Sequence, residues 1–315
     1  MSPEGQDKVL AIVGPTASGK SRLGMEIAQS VGGEIVGADS RQVYRRMDIG
    51  TAKPSVEDRQ RVPHHLIDII DPSDEYSVAL YVRQARQAIS DVLNRDGVPI
   101  VVGGTGQYVW ALLEGWNVPE ISPDHLLREE LQGRLSRNGL GDLVDELRRV
   151  APVTAERVDL ANPRRVMRAL EVALQTTVGE PSKPTRTPPP FQATIVGSEM
   201  ERTRLYDRIN ARVDAMFKAG WVGEVRRLLD MGFGPELPAM SSLGYREIAE
   251  YLNGDRTRED AIHAIKGKTR RFARQQGTWF RARDERIQWF PNVPGSLGEV
   301  VEYVSRSMGR RMNLR

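Results

Sequence analysis

The sequence predicts an α/β fold: a mostly parallel sheet as core, a helical insertion and a helical C-terminal part. Two observations predict the sheet. Short, continuously apolar runs stop at Gly or Asp, and amphipathic stretches of helical period separate them over the first 115 residues. A third observation predicts the rest. Past Trp116 the chain becomes rich in Leu, Arg and Glu and poor in strand-forming runs.

Residues 9–14 (VLAIVG) read as a strand buried on both faces, followed by a Gly-containing turn and an amphipathic helix over 20–31. A second strand covers 34–38 and ends at Asp39. Val78, Val82, Ala85, Ile89 and Val92 fall at helical spacing, so 77–93 is a helix; 99–102 is a further strand, stopping at Gly103-Gly104. Residues 124–175 form the helical insertion, broken at Gly139, Gly141, Pro152 and Pro163. Five prolines over 179–190 make an irregular connection, after which 193–196 returns to the sheet. Two long helices follow, 206–230 and 257–280, the second basic. The expected domains are a core over 1–117, an insertion over 118–192, completion of the core with basic helices over 193–295, and a flexible tail over 296–315.

A chain of 315 residues can bury a full core, and 39% apolar with 28% charged residues describes a folded, soluble protein. With no Cys there is no disulfide framework, thiolate metal site or Cys nucleophile. The polar start and the lack of a long apolar run point to the cytoplasm, with no membrane association. Charge is unevenly placed. Residues 201–315 carry 22 Lys/Arg against 15 Asp/Glu, whereas residues 1–200 carry 23 against 27. Lys266, Lys268, Arg270, Arg271, Arg274, Arg281 and Arg283 lie in one acid-free stretch, which suits either a polyanionic partner or a solvated helix face.

Residues 14–21 read GPTASGKS and fit G-x-x-x-x-G-K-[ST] between a strand and a helix, so the core is P-loop NTPase-like. Gly14, Pro15, Thr16, Ala17, Ser18 and Gly19 form a loop whose backbone N–H groups can converge on phosphate oxygens. Lys20 adds a mobile charge, and Ser21 is placed to hold Mg²⁺. A di- or triphosphate binds here. A hydrolase would also need an acid closing a long apolar strand, but the 99–104 strand ends in Gly-Gly. His64 and His65 read as structural, with no third ligand at suitable spacing. A small-molecule kinase or another transferase remains open. Asp39, at the end of a strand beside the P-loop, can take a proton from an acceptor, cap a helix or support Mg²⁺. The Thr105 hydroxyl can bind phosphate or acceptor, or cap the next helix.

Together with the P-loop, DSRQVY at 39–44, DIGTAKP at 48–54, GGTGQY at 103–108, NPRRVMRALE at 162–171, GYRE at 244–247 and RQQGTWFR at 274–281 resemble the tRNA dimethylallyltransferase family from about residue 9 to about 290. The resemblance implies transfer of a dimethylallyl group from dimethylallyl diphosphate to N6 of adenosine 37 in the tRNA anticodon loop. Diphosphate leaves, so the P-loop serves a leaving group and ATP is not the substrate. By resemblance Asp39 is the base, Thr105 contacts and positions the substrate nucleotide, Arg208 binds diphosphate and Mg²⁺ is the cofactor. The positions implied to face tRNA are Asp39, Ser40, Arg41, Gln42, Thr105, Arg128, Arg164, Arg165, Arg168, Ser241, Gly244, Tyr245, Arg246, Arg274, Gln276, Thr278, Trp279 and Arg281. A monomer is expected. Gln275 and Gly277 depart from the family's usual basic and apolar residues.

Overall fold

The structure is a computed structural model and describes residues 7–120, 124–175, 186–293 and 295–309. In chain order the elements are β1 (Asp7–Val13), α1 (Lys20–Val31), β2 (Gly33–Ala38), α2 (Val56–Arg61), β3 (His64–His65), α3 (Val78–Leu93), β4 (Val98–Gly103) and α4 (Gly106–Leu113). Next come α5 (His125–Asn138), α6 (Leu140–Val150), α7 (Pro152–Ala155), α8 (Pro163–Gln175), β5 (Phe191–Glu199), α9 (Arg202–Lys218) and α10 (Trp221–Asp230). The chain closes with α11 (Tyr245–Leu252), α12 (Arg258–Trp279), β6 (Ile287–Pro291) and α13 (Ser296–Met308). Contacts divide it into two units, Met1–Gly115 with Pro188–Arg315, and Trp116–Thr187. The expected proline-rich connection falls largely outside the described residues.

The first unit holds a six-stranded sheet in the order β3-β2-β4-β1-β5-β6, with every pairing parallel. The strands are apolar on both faces because helices cover both, as parallel sheets require. On one face Leu10, Ile12, Ile100 and Val196 pack with Ile27 of α1 and with Val300, Val301, Val304 and Met308 of α13. A second core lies under the helical C-terminal part, where Val43, Tyr44 and Met47 meet Val213, Phe217, Trp221, Tyr245 and Ile265. The second unit is helical, closed around Leu131, Leu143, Leu147, Val166 and Leu170. Among the described residues no helix is long and apolar enough to cross a membrane.

Three expectations are corrected. Residues 296–309 are not a flexible tail: α13 buries an apolar stripe at Val300, Val301, Val304 and Met308 against the sheet, and Lys8 Nζ donates to Ser307 O at 2.9 Å. The expected helix over 206–230 is two helices, because Gly220 at φ +97° ends α9 and caps α10. The strand β6 has no counterpart in the sequence reading, being five residues long and ending in Pro.

The α13 packing carries a test. Val304→Ala is expected to cost about 2 kcal/mol, read as a lower denaturation midpoint. An unchanged midpoint would restore the flexible tail.

Candidate active site

Parallel pairing sends β1, β2 and β4 out of the sheet at the same edge, where ligands bind in open α/β sheets. Register makes the convergence tight: Gly103 lies opposite both Ala38 and Val13. A Cβ on Gly103 would come within 2.1 Å of Ala38 O, so only glycine lets the ends of β2 and β4 approach this closely. The P-loop, Asp39 and Thr105 therefore emerge side by side.

They line one cavity of about 350 Å³. One wall is the P-loop with Thr16, Lys20 and Ser21; another is Asp39, Ser40 and Thr105; α9 and α12 supply Ile209, Arg212, Phe272 and Gln276. The loop is held open by backbone geometry. Ala17 and Gly19 have φ of +64° and +97°, and a Cβ on Gly19 would lie 1.8 Å from Asn292 Nδ2. Ser198 Oγ donates to Ser18 O at 3.0 Å, and Asn292 Nδ2 donates to the same carbonyl. The buried Ser18 Oγ itself has no partner.

The cavity is electropositive. Among the described residues lining it, Asp39 is the only acid, facing Lys20, Arg41 and Arg212. Burial pushes the Lys20 ammonium down to about 8, with Asp39 opposing and Arg212 reinforcing the shift. Burial likewise lowers Arg212, against the pull of Asp39. Such a place favours an anion beside the cations. Asp39 Oδ1 accepts the Arg41 N–H at 2.9 Å, and the Ser40 N–H donates to Thr105 Oγ1 at 3.0 Å. The Ser40–Thr105 bond ties the loop after β2 to the loop after β4, and the bond from Arg41 engages one of the two Asp39 oxygens.

Residues 48–54 form a wall rather than a reactive group. The buried Glu224 carboxylate accepts the backbone N–H groups of Asp48 (2.8 Å), Ile49 (2.7 Å) and Gly50 (3.2 Å) and the Tyr245 hydroxyl (2.7 Å). Lys53 bridges Asp48 and Asp68 at 2.6 and 2.5 Å. Gln42 Nε2 donates to Thr51 O and Ala52 O, each at 3.1 Å. His64 and His65 bond to Val62 O and Glu34.

The structure separates the expected site residues. Arg208 does not line the Asp39 cavity. It opens on another of about 490 Å³, with Arg204, Gly19 and Asn292, while Arg212, one turn on, takes the place expected of it. Arg212 was legible: Ile209, Arg212, Val213 and Met216 share one helical face, and all four line the cavity. Tyr245 and Gln276 are turned inward rather than exposed. Tyr245 is fully buried on Glu224, and Gln276, 4% exposed, spends both amide atoms inside the protein. Gly244, at φ +92°, caps α11 against the Trp221 ring.

Arg246, Arg274, Thr278, Trp279 and Arg281 are exposed. Phe280 is buried beside Trp110. Arg41 reaches Pro238 O and Ser241 Oγ. The basic stretch is partly neutralised from within: Lys266 pairs with Asp214 at 2.7 Å and Lys268 with Glu247. In the second unit Arg128 and Arg168 grip the buried Glu171 at 2.8 and 2.6 Å. Burial there opposes ionisation, yet the bonds from Arg168, the Asp124 N–H and Arg128 together hold that carboxyl below its usual range. Arg164 and Arg165 are exposed, and Arg165 lies 3.4 Å from Asp159.

A family model described as IPP transferase matches residues 42–283, and one described as Isopentenyl transferase matches residues 7–68. The tRNA dimethylallyltransferase of Thermomicrobium roseum is 47% identical over 301 residues, covering 95% of this chain and 91% of its own. That of Desulforudis audaxviator is 49% identical, covering 94% and 96%. Among solved structures, the tRNA isopentenylpyrophosphate transferase of Bacillus halodurans is similar with a TM-score of 0.72 at 38% identity, covering 96% and 97%.

The Lys20 shift sets a pH dependence for anion binding. Lys20 is charged below a pH of about 8 and loses its proton above it. Relative to Lys20→Met, wild-type affinity for inorganic diphosphate is expected to hold below that point and fall above it, by up to about tenfold per pH unit. Calorimetric titration across pH checks this, and parallel profiles for the two proteins would contradict it.

Proposed function

The chain belongs to the IPP transferase family, and on that premise we propose that it transfers the dimethylallyl group of dimethylallyl diphosphate to N6 of adenosine 37 in tRNA. The observation that carries the reading is the single cavity that brings the P-loop, Lys20 and Arg212 together with the Asp39 carboxylate and Thr105. The family match decides against the small-molecule kinase that the P-loop alone left open.

The allylic C1–O bond of the donor breaks, and its electron pair leaves with diphosphate. Lys20, Arg212 and the P-loop amides stabilise that developing charge, and the resonance of the allylic fragment eases the cleavage. The acceptor N6 is a weak nucleophile because its lone pair is delocalised into the ring. As the N6–C1 bond forms, N6 gives up a proton, and Asp39 receives it. Thr105, bonded to the Ser40 N–H, keeps the acceptor wall in register with Asp39. Arg212 takes the leaving-group role expected of Arg208.

Mg²⁺ suits the oxygen donors present. Ser21 and Asp39 line the cavity, and no cluster of three His, Asp or Glu occurs among the described residues, so Ser21 and diphosphate oxygens would be its main ligands. When bound, it would add positive charge at the leaving group. The target adenine must leave the anticodon stack to enter the cavity. Exposed Arg164, Arg165, Arg246, Arg274 and Arg281 are the groups proposed to meet RNA phosphates.

Labelled dimethylallyl diphosphate, Mg²⁺ and an anticodon stem-loop bearing A37 provide the test. Wild type is expected to label the RNA and to lose that label when A37 is replaced by G. Asp39→Asn is expected to slow transfer by about 10²–10⁴-fold, and Arg212→Ala by about 10²–10³-fold, while Arg208→Ala stays within a few-fold. ATP turnover without RNA labelling would return the kinase reading.

A further inference from the structure

The side chain of Gln276 is the one bridge, among the described hydrogen bonds, that joins the P-loop directly to the turn after β4. Its Oε1 accepts the Thr16 N–H at 2.7 Å, and its Nε2 donates to Gly104 O at 2.9 Å. Both bonds are buried or nearly so, and the fit is close: a Cβ on Gly104 would stand 2.4 Å from Nε2. Each end leads straight to reacting chemistry. Arg212 Nη1 reaches Thr16 Oγ1 at 3.5 Å, and Thr105, next to Gly104, accepts the Ser40 N–H beside Asp39. The bridge stands on α12, whose cavity face carries Thr269, Phe272 and Gln276 at helical spacing.

We propose that Gln276 is a positioning residue for the transfer reaction: it fixes the spacing between the leaving-group wall and the acceptor wall of the cavity. An amide is the side chain that donates and accepts at this reach, and here it does both to backbone groups of two separate loops. The two walls must hold the allylic carbon and N6 at attack distance, where a displacement of about 1 Å costs on the order of 100-fold in rate. The inference rests on the proposed prenyl transfer and reassigns Gln276 from an RNA contact to a strut.

Two variants test it. Gln276→Met keeps the volume and removes both bonds. Gln276→Glu keeps an acceptor for Thr16 but turns a carboxylate oxygen toward Gly104 O. Single-turnover transfer is measured with the stem-loop, alongside calorimetric binding of RNA and of inorganic diphosphate, where circular dichroism shows each variant folded. Gln276→Met is expected to slow transfer about 10–100-fold and to weaken diphosphate binding, with RNA affinity unchanged.

Gln276→Glu is expected to regain rate relative to wild type as pH falls from about 8 to about 6, because a protonated acid restores the donor to Gly104 O. Gln276→Met should show no such recovery. Wild-type rate and diphosphate affinity in folded Gln276→Met would overturn the proposal. So would a loss confined to RNA affinity, which would return Gln276 to the RNA surface. Failure of wild type itself to transfer would refute the reaction, and the diphosphate titration would still decide whether Gln276 supports the P-loop.

Discussion

Two cations, Lys20 and Arg212, share a partly buried cavity with one lining carboxylate, and the surrounding structure keeps them there. Burial works against both charges and lowers both pKa values, so the arrangement lasts only because each is anchored in a rigid element. Lys20 begins α1, directly behind a P-loop whose Ser18 carbonyl is clamped by Ser198 and Asn292 from the ends of β5 and β6. Arg212 rides on α9, whose buried residues Ile209, Val213 and Phe217 leave it little freedom. Asp39 tempers the imbalance without cancelling it. The site therefore favours an anion beside its cations.

The same economy shapes the wall opposite the P-loop. Glu224 is buried and does not line the cavity, yet it fixes the backbone of residues 48–50 with three N–H bonds. Gly50 then lies against Trp221, where a Cβ would come within 2.2 Å of the indole nitrogen. Burying a carboxylate is tolerable only when its oxygens are fully engaged, and Tyr245 supplies the fourth bond. The DIGTAKP block thus owes its residue choice to geometry. Lys53, with its side chain 1% exposed between Asp48 and Asp68, is a tie rather than a substrate ligand.

Much of this was legible. The apolar runs marked β1, β2 and β4, and GPTASGKS together with Asp39 at a strand end marked residues that the structure brings into one cavity. What escaped reading was non-local. Nothing near Glu224 announces that it holds a loop 176 residues earlier in the chain. Arg212, by contrast, was within reach of the local helical period of α9, although the resemblance pointed to Arg208 one turn earlier. Gln276 and Tyr245 sit in the blocks that carry the family resemblance, which implied contact with tRNA, whereas the period of α12 and the apolar neighbours of Tyr245 turn them inward. The α13 stripe was present in the sequence at Val300, Val301, Val304 and Met308, but lay beyond the recognisable match.

The proposed transfer requires leaving group and acceptor to occupy one cavity at the same time. Titration of inorganic diphosphate into protein saturated with the A37 stem-loop tests it most directly. Diphosphate is expected to bind the RNA complex as well as it binds free protein, and Lys20→Met to weaken diphosphate binding while keeping the RNA. Mutually exclusive binding would rule out the proposed transfer, because the two walls could then not serve a single reaction.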